Sequence, residues 1–187
     1  MESFFVSMLV VALGEIGDKT QLLALLLATR FRRPIPIILG IFVATIANHA
    51  VAGAVGEIIR RSLEPHSLRL LLAASFFAIA GWAIKPDSVD DKPTDLGRYG
   101  VFAFTVVVFF LAEIGDKTQL ATIALAAKYD SLLGVVSGTT FGMLLADVPV
   151  VLLAERLTTK IPLRLIRYVS AALFAVLGMA ALFGPGA

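Results

Sequence analysis

The hexapeptide Glu-Ile-Gly-Asp-Lys-Thr stands twice in this chain, at residues 15–20 and 113–118, each time followed by Gln and each time inside a long apolar run. An ionisable side chain at the centre of a bilayer costs at least ~2.5–3.5 kcal/mol even on the mildest insertion scale. Four carboxylates and two ammonium groups in such runs mark a site, and any fold the chain adopts must gather or shield them. The surroundings are membrane-like. The 187 residues are 58% hydrophobic and 16% charged, with a mean hydropathy of +0.90, which no ordinary soluble domain approaches.

Six apolar runs can be drawn, at residues 4–28, 36–59, 68–84, 99–127, 132–153 and 162–183. Each is long enough to cross ~30 Å of hydrocarbon at ~1.5 Å per residue. They are continuous and lack the ten-residue alternation of a barrel, so the expected fold is an all-α integral membrane protein with six transmembrane helices. Between them lie Arg30, Arg32, Arg33 and Pro34, then Arg60, Arg61 and Pro65, and then an acidic stretch with Pro86, Pro93, Asp87, Asp90, Asp91 and Asp95. A constant offset of 98 residues maps Glu15 onto Glu113, Gln21 onto Gln119, Gly40 onto Gly138, His49 onto Asp147 and Glu57 onto Glu155. Three spans per half is an odd number, so the second half enters the membrane in the opposite sense. The expectation is one membrane domain of two inverted-topology three-helix repeats, residues 1–86 and 99–187, joined by an acidic linker at 87–98.

Several function classes fall away. Without Cys there is no disulfide framework and no thiolate metal site. The net charge of +2 comes from Lys and Arg clustered at the ends of apolar runs, which reports topology and leaves no basic stripe for nucleic acid. Counting loop cations, Arg30, Arg32, Arg33, Lys85, Lys92, Arg98, Arg156, Lys160, Arg164 and Arg167 fall on one side and Arg60, Arg61, Arg69 and Lys128 on the other. That bias places both termini outside the cytoplasm. The first run carries Glu15, Asp18 and Lys19 and is not preceded by a basic segment, so it reads as a retained helix and not as a cleavable signal.

On a continuous helix, Glu15 and Asp18 share a face, as do Glu113 and Asp116. Gly17 and Gly115 permit close helix approach or local unwinding. Thr20, Gln21, Thr118 and Gln119 add neutral oxygens, and Asn48 and Asp147 are further polar groups at mid-depth in the second and fifth runs, with His49 at the repeat position of Asp147. Lys19 and Lys117 read as internal counter-charges. Four carboxylates and two ammonium groups leave a formal −2, which one divalent cation neutralises. The oxygen-rich set suits Ca2+, Mn2+ or Mg2+, whereas zinc and copper recruit His or Cys, here only His49 and His66. Desolvation and like charge both disfavour ionisation, so the same groups suit protons as well as metal. One site with mutually exclusive ligands is what antiport requires.

These two motifs, Glu15 to Thr20 and Glu113 to Thr118, resemble the double Glu-x-Gly-Asp-Lys/Arg-Ser/Thr signature of a cation/proton antiporter family. That family includes Golgi manganese and calcium transporters and bacterial and chloroplast manganese transporters. The resemblance covers essentially the whole chain and is similar to the compact bacterial form. It implies export of Mn2+, or of Ca2+, in exchange for protons, from a bacterial inner membrane. The motif acids Glu15, Asp18, Glu113 and Asp116 are the implied cation ligands, and the metal is substrate, not cofactor. The partners are then the ion, protons and the lipid bilayer; the sequence gives no indication of a homo-oligomer. The alternatives are a membrane-embedded metal-dependent hydrolase, for which no His-Glu-x-x-His or Ser/His pattern is present, and a divalent cation channel.

The remaining features have ordinary explanations. Glu57 and Glu155 sit beside Arg60, Arg61 and Arg156 as surface ion pairs, and the acidic linker reads as solvated. Gly40, Gly53, Gly56, Gly134, Gly138 and Gly142 suit tight helix packing. Trp82 is an expected interfacial anchor, and the Phe-rich fourth run is expected to face lipid.

Overall fold

The computed structural model describes residues 1–85, 100–154 and 163–183, with side chains in the last segment from residue 168 onward. The acidic linker with Asp87, Asp90, Asp91 and Asp95, and the Glu155–Arg156 pair, lie outside the described residues. All regular structure among the described residues is helical: α1 (Glu2–Glu15), α2 (Lys19–Phe31), α3 (Pro34–Ser62), α4 (Pro65–Ala83), α5 (Val101–Glu113), α6 (Lys117–Lys128), α7 (Leu132–Leu153) and α8 (Leu163–Phe183). Among the described residues α3, α4 and α7 are each long and apolar enough to cross a membrane. Pro34 and Pro65 open α3 and α4 in the first turn, where a missing N–H costs nothing. Ser131 caps α7 by accepting from the Gly134 amide at 3.2 Å.

The apolar runs at 36–59, 68–84, 132–153 and 162–183 each become one helix of nearly the expected extent, α3, α4, α7 and α8. The two motif-bearing runs do not. Each is two helices, broken within the hexapeptide, so the shared helix face expected for Glu15 with Asp18, and for Glu113 with Asp116, does not exist. Hydropathy gives no sign of such a break because the residues on both sides remain apolar. The 98-residue offset survives in the elements themselves. It separates the starts of α2 and α6, of α3 and α7, and of α4 and α8, and the ends of α1 and α5.

Packing exchanges partners between the halves. α1 and α2 lie against α7, while α5 and α6 lie against α3; α1 also meets α6, α2 meets α5, and α4 pairs with α8. The exchange is incomplete, because α4 rests on α6 whereas α8 rests on α1. Equivalent glycines allow close helix approaches. A Cβ on Gly40 would lie 2.6 Å from Thr105 Cβ of α5, and one on Gly138 would lie 2.3 Å from the Phe4 carbonyl oxygen of α1. No side chain fits at either place, so the expectation that these glycines serve packing holds.

Exposure is inverted relative to a water-soluble bundle. Ile35, Val51, Leu111, Leu133 and Val176 are exposed, while Glu15, Asp18, Asn48, His49, Glu113, Asp116, Lys117 and Asp147 are buried. Such a surface matches hydrocarbon, and such an interior has to be organised around charge. Phe109 corrects the picture of the Phe-rich run as lipid-facing bulk. It is fully buried, in a cluster with Ile37, Ile41 and Met143, while Phe102 does face outward.

Candidate cation site at two broken helices

The break is a tight turn built from the motif itself. Glu15 ends α1, Ile16 is extended at φ −63° and ψ 117°, Gly17 has φ +82°, and the Asp18 amide donates to the Glu15 carbonyl at 3.0 Å. The second copy repeats it: Ile114 at φ −61° and ψ 120°, Gly115 at φ +73°, and Asp116 N–H to the Glu113 carbonyl at 3.1 Å. These are type II turn angles, which demand a positive φ at the third residue and so glycine. At Gly115 an added Cβ would meet nothing within 4 Å. There, at least, the backbone angle requires glycine and space does not.

The turn does two things to the acids. Glu15 and Glu113 become the last residues of helices whose carbonyl ends point at the site, an arrangement favouring a cation. Asp18 and Asp116 become the N-caps of α2 and α6, where amide groups stabilise carboxylate charge. Asp18 Oδ1 accepts from the Lys19 amide at 2.7 Å, and Asp116 Oδ2 accepts from the Thr118 hydroxyl at 3.2 Å. Each break thus supplies one acid on a helix end that attracts cations and one on an end that tolerates anions.

Gln21 and Gln119 hold the turns in place. Gln21 Oε1 accepts from the Gly17 amide at 2.8 Å, and its Nε2 donates to the Ala146 carbonyl of α7 at 3.2 Å. Gln119 Oε1 accepts from the Gly115 amide at 2.7 Å, and its Nε2 donates to the Asn48 side-chain oxygen on α3. Asn48 in turn donates to the Phe110 carbonyl at 3.3 Å. Residues 48 and 146 are repeat equivalents, so both glutamines reach the same place in the opposite half. The amide oxygens expected as neutral ligands are thus already engaged by the turn amides. Among the other neutral candidates, the Thr118 hydroxyl is bonded to Asp116, whereas the buried Thr20 hydroxyl has no hydrogen-bond partner.

The two halves meet through crossed charges. Lys117 Nζ lies 3.0 Å from Asp18 Oδ2, with the lysine side chain only 4% exposed, and Lys19 Nζ lies 3.3 Å from Asp116 Oδ1, with its side chain 28% exposed. One carboxylate oxygen from each of Glu15, Asp18 and Asp116 falls within 4.8 Å of the others, close enough to ligate one ion. Glu113, the fourth motif acid, lies outside that trio. Its Oε2 is 3.6 Å from His49 Nε2 on α3. Asp147 on α7 is fully buried without a hydrogen-bond partner, and Glu15 lies within electrostatic reach of Asp18, Asp147, Glu113 and Asp116. The structure therefore joins Asp147 to the motif acids and places Asn48 as a clamp. It also brings His49, which its position in the repeat only hinted at, against a motif acid. Glu57 pairs with Arg60 and Arg61 at the end of α3, and Arg60 reaches Asp130 at 2.7 Å, far from this cluster in the chain and in character.

Comparison with known proteins shows the family. The family model for the divalent cation/proton antiporter GDT1 matches residues 3–91 and 101–186. A Vibrio cholerae protein described as a "putative manganese exporter" is 50% identical, over 98% of this chain and 92% of its own length. GDT1-like protein 5 of Arabidopsis thaliana is 26% identical, over 99% of this chain and 97% of its own. The chloroplastic PAM71-homolog of the same plant is 28% identical, over 91% of this chain and 56% of its own. No solved structure matches.

Proposed function

Because the chain belongs to the divalent cation/proton antiporter GDT1 family, we propose that it exports Mn2+ in exchange for protons through the carboxylate cluster at its two broken helices. The observation that carries this reading is the convergence of Glu15, Asp18 and Asp116 within ligand distance of one another. The similarity to a relative described as a manganese exporter supports the choice of ion. Lys117 and Lys19 pair with Asp18 and Asp116. An arriving cation displaces both ammonium groups, and protons take the carboxylates when it leaves. Ca2+ is the alternative cargo for an oxygen-rich site.

Two inverted-topology repeats, residues 1–86 and 99–187, fit the exchange of helix partners between halves. In this arrangement α1–α2 and α5–α6 are each one interrupted span, and the membrane-spanning count is six. Half-helix ends at mid-depth are the usual furniture of such transporters. The loop-cation bias supports both termini outside the cytoplasm, and the similarity to a bacterial relative supports a bacterial inner membrane.

Charge suggests a stoichiometry. Glu15, Asp18, Glu113, Asp116 and Asp147 against Lys19 and Lys117 leave three negative charges in a buried cluster. One divalent ion and one proton balance them in the loaded state, and three protons balance them in the empty state. The exchange is then two protons per ion and electroneutral. In proteoliposomes, Mn2+ flux follows an imposed pH gradient and is indifferent to a potassium diffusion potential. Glu15→Gln and Asp116→Asn each lower that flux by at least ~100-fold, beyond what outer-shell changes cost at metal sites. Gradient-independent flux, or full flux in both variants, sinks the reading.

A further inference from the structure

The two halves place different chemistry at one position. Residue 147 on α7 is an aspartate, and its repeat equivalent on α3 is His49. His49 is fully buried, and neither ring nitrogen has a hydrogen-bond partner. Neutral imidazole carries one donor and one acceptor, and an orphaned buried polar group is costly enough that native proteins rarely keep one without a use. Its nearest charged neighbour, Glu113, also has both carboxylate oxygens unbonded. The 3.6 Å between Nε2 and Oε2 is too long for a hydrogen bond. Ligands at ~2.1–2.3 Å on one ion stand ~3.0–3.3 Å apart at octahedral angles, so a small approach of the two side chains lets them share an ion. His49 is within electrostatic reach of Asp116, a member of the carboxylate trio, while the pair itself stands outside the ligand distance that joins the trio. Register is fixed by the preceding residue, because Asn48 is held by both Gln119 and the Phe110 carbonyl.

The geometry points to His49 as a nitrogen ligand to the transported cation, entering together with Glu113 and setting the preference for Mn2+ over Ca2+. This rests on the cation-antiport reading above and deepens it. The oxygen-only half of the cluster, with Asp147 near Glu15, serves any hard divalent ion. The nitrogen on the other half is of little use to Ca2+ or Mg2+, which take oxygen ligands, whereas first-row transition ions accept imidazole.

Electron spin-echo spectroscopy of the purified full-length protein loaded with Mn2+ tests this directly. The expected result is nitrogen-14 modulation of imidazole type, converted to a nitrogen-15 pattern in protein grown with labelled histidine, retained in His66→Gln and lost in His49→Asp. In proteoliposomes, His49→Asp lowers pH-driven Mn2+ flux and lets Ca2+ compete roughly 10- to 100-fold better, the range by which metal-site partners alter affinity. Mn2+ bound with no nitrogen signal in the wild type overturns the inference and leaves the antiport reading intact. So does a His49→Asp variant with unchanged Mn2+/Ca2+ preference. A wild-type protein that binds no Mn2+ overturns both.

Discussion

The two hexapeptides are identical in sequence and nearly identical in backbone, yet they sit in different surroundings. The first is enclosed: Gly17 is buried, and the lysine serving Asp18 is almost completely covered. The second reaches the surface, with Ile114 54% exposed, Gly115 exposed, and the lysine serving Asp116 partly open. The difference arises in the neighbours. α8 rests on α1 while α4 rests on α6, and positions 48 and 49 are Asn and His where 146 and 147 are Ala and Asp. A duplicated motif therefore yields duplicated local geometry but not duplicated energetics. Energetics follow burial, which the partner helices decide.

That contrast can be broken by experiment, beginning with the lysines. Removing one partner of a buried ion pair strands the other charge, at ~3–5 kcal/mol, whereas a solvent-screened pair contributes about 1 kcal/mol or less. Lys117→Met should thus lower the stability of the detergent-solubilised protein severalfold more than Lys19→Met, as read by helical signal on heating. Equal losses would mean that the two copies are energetically alike. The glutamines are next. Gln21→Ala leaves the Gly17 amide without its buried acceptor, at ~1–3 kcal/mol, and Gln119→Ala costs less because the Gly115 amide lies in an exposed turn. The reverse order would show that the clamp on Asn48 outweighs burial. The smallest effect is at Gly115, where space is open and only the backbone angle objects. Gly115→Ala costs about 1 kcal/mol, and Gly115→Asn, which tolerates the left-handed region, recovers part of it. A loss in Gly115→Ala as large as that in Lys117→Met would mean that a neighbouring side chain closes over the turn.

Much of this was legible in the chain. Continuous apolar runs foretold α3, α4, α7 and α8, and the 98-residue offset foretold which helices correspond. The charged hexapeptides announced the site because charge in hydrocarbon needs a reason. The breaks were harder, since Leu13 to Leu22 has no proline and the runs that flank the motif are apolar. A usable signal was present all the same: glycine followed by aspartate is a helix stop followed by a helix start. The approach of His49 to Glu113 was illegible for a different cause. Its meaning depends on α3 lying against α5, a contact between halves far apart in sequence. Phe109 was misplaced for the same reason, because a phenylalanine in an apolar run carries no mark of which face meets lipid.

The crossed lysines also bear on how the protein is made. As the first half leaves the ribosome, Glu15 and Asp18 enter the membrane before Lys117 has been synthesised, so the ion pair on Asp18 cannot yet close. The first half waits for α6 to complete that pair. Synthesis order thus leaves the charge pairing of the first motif to be finished by the second half.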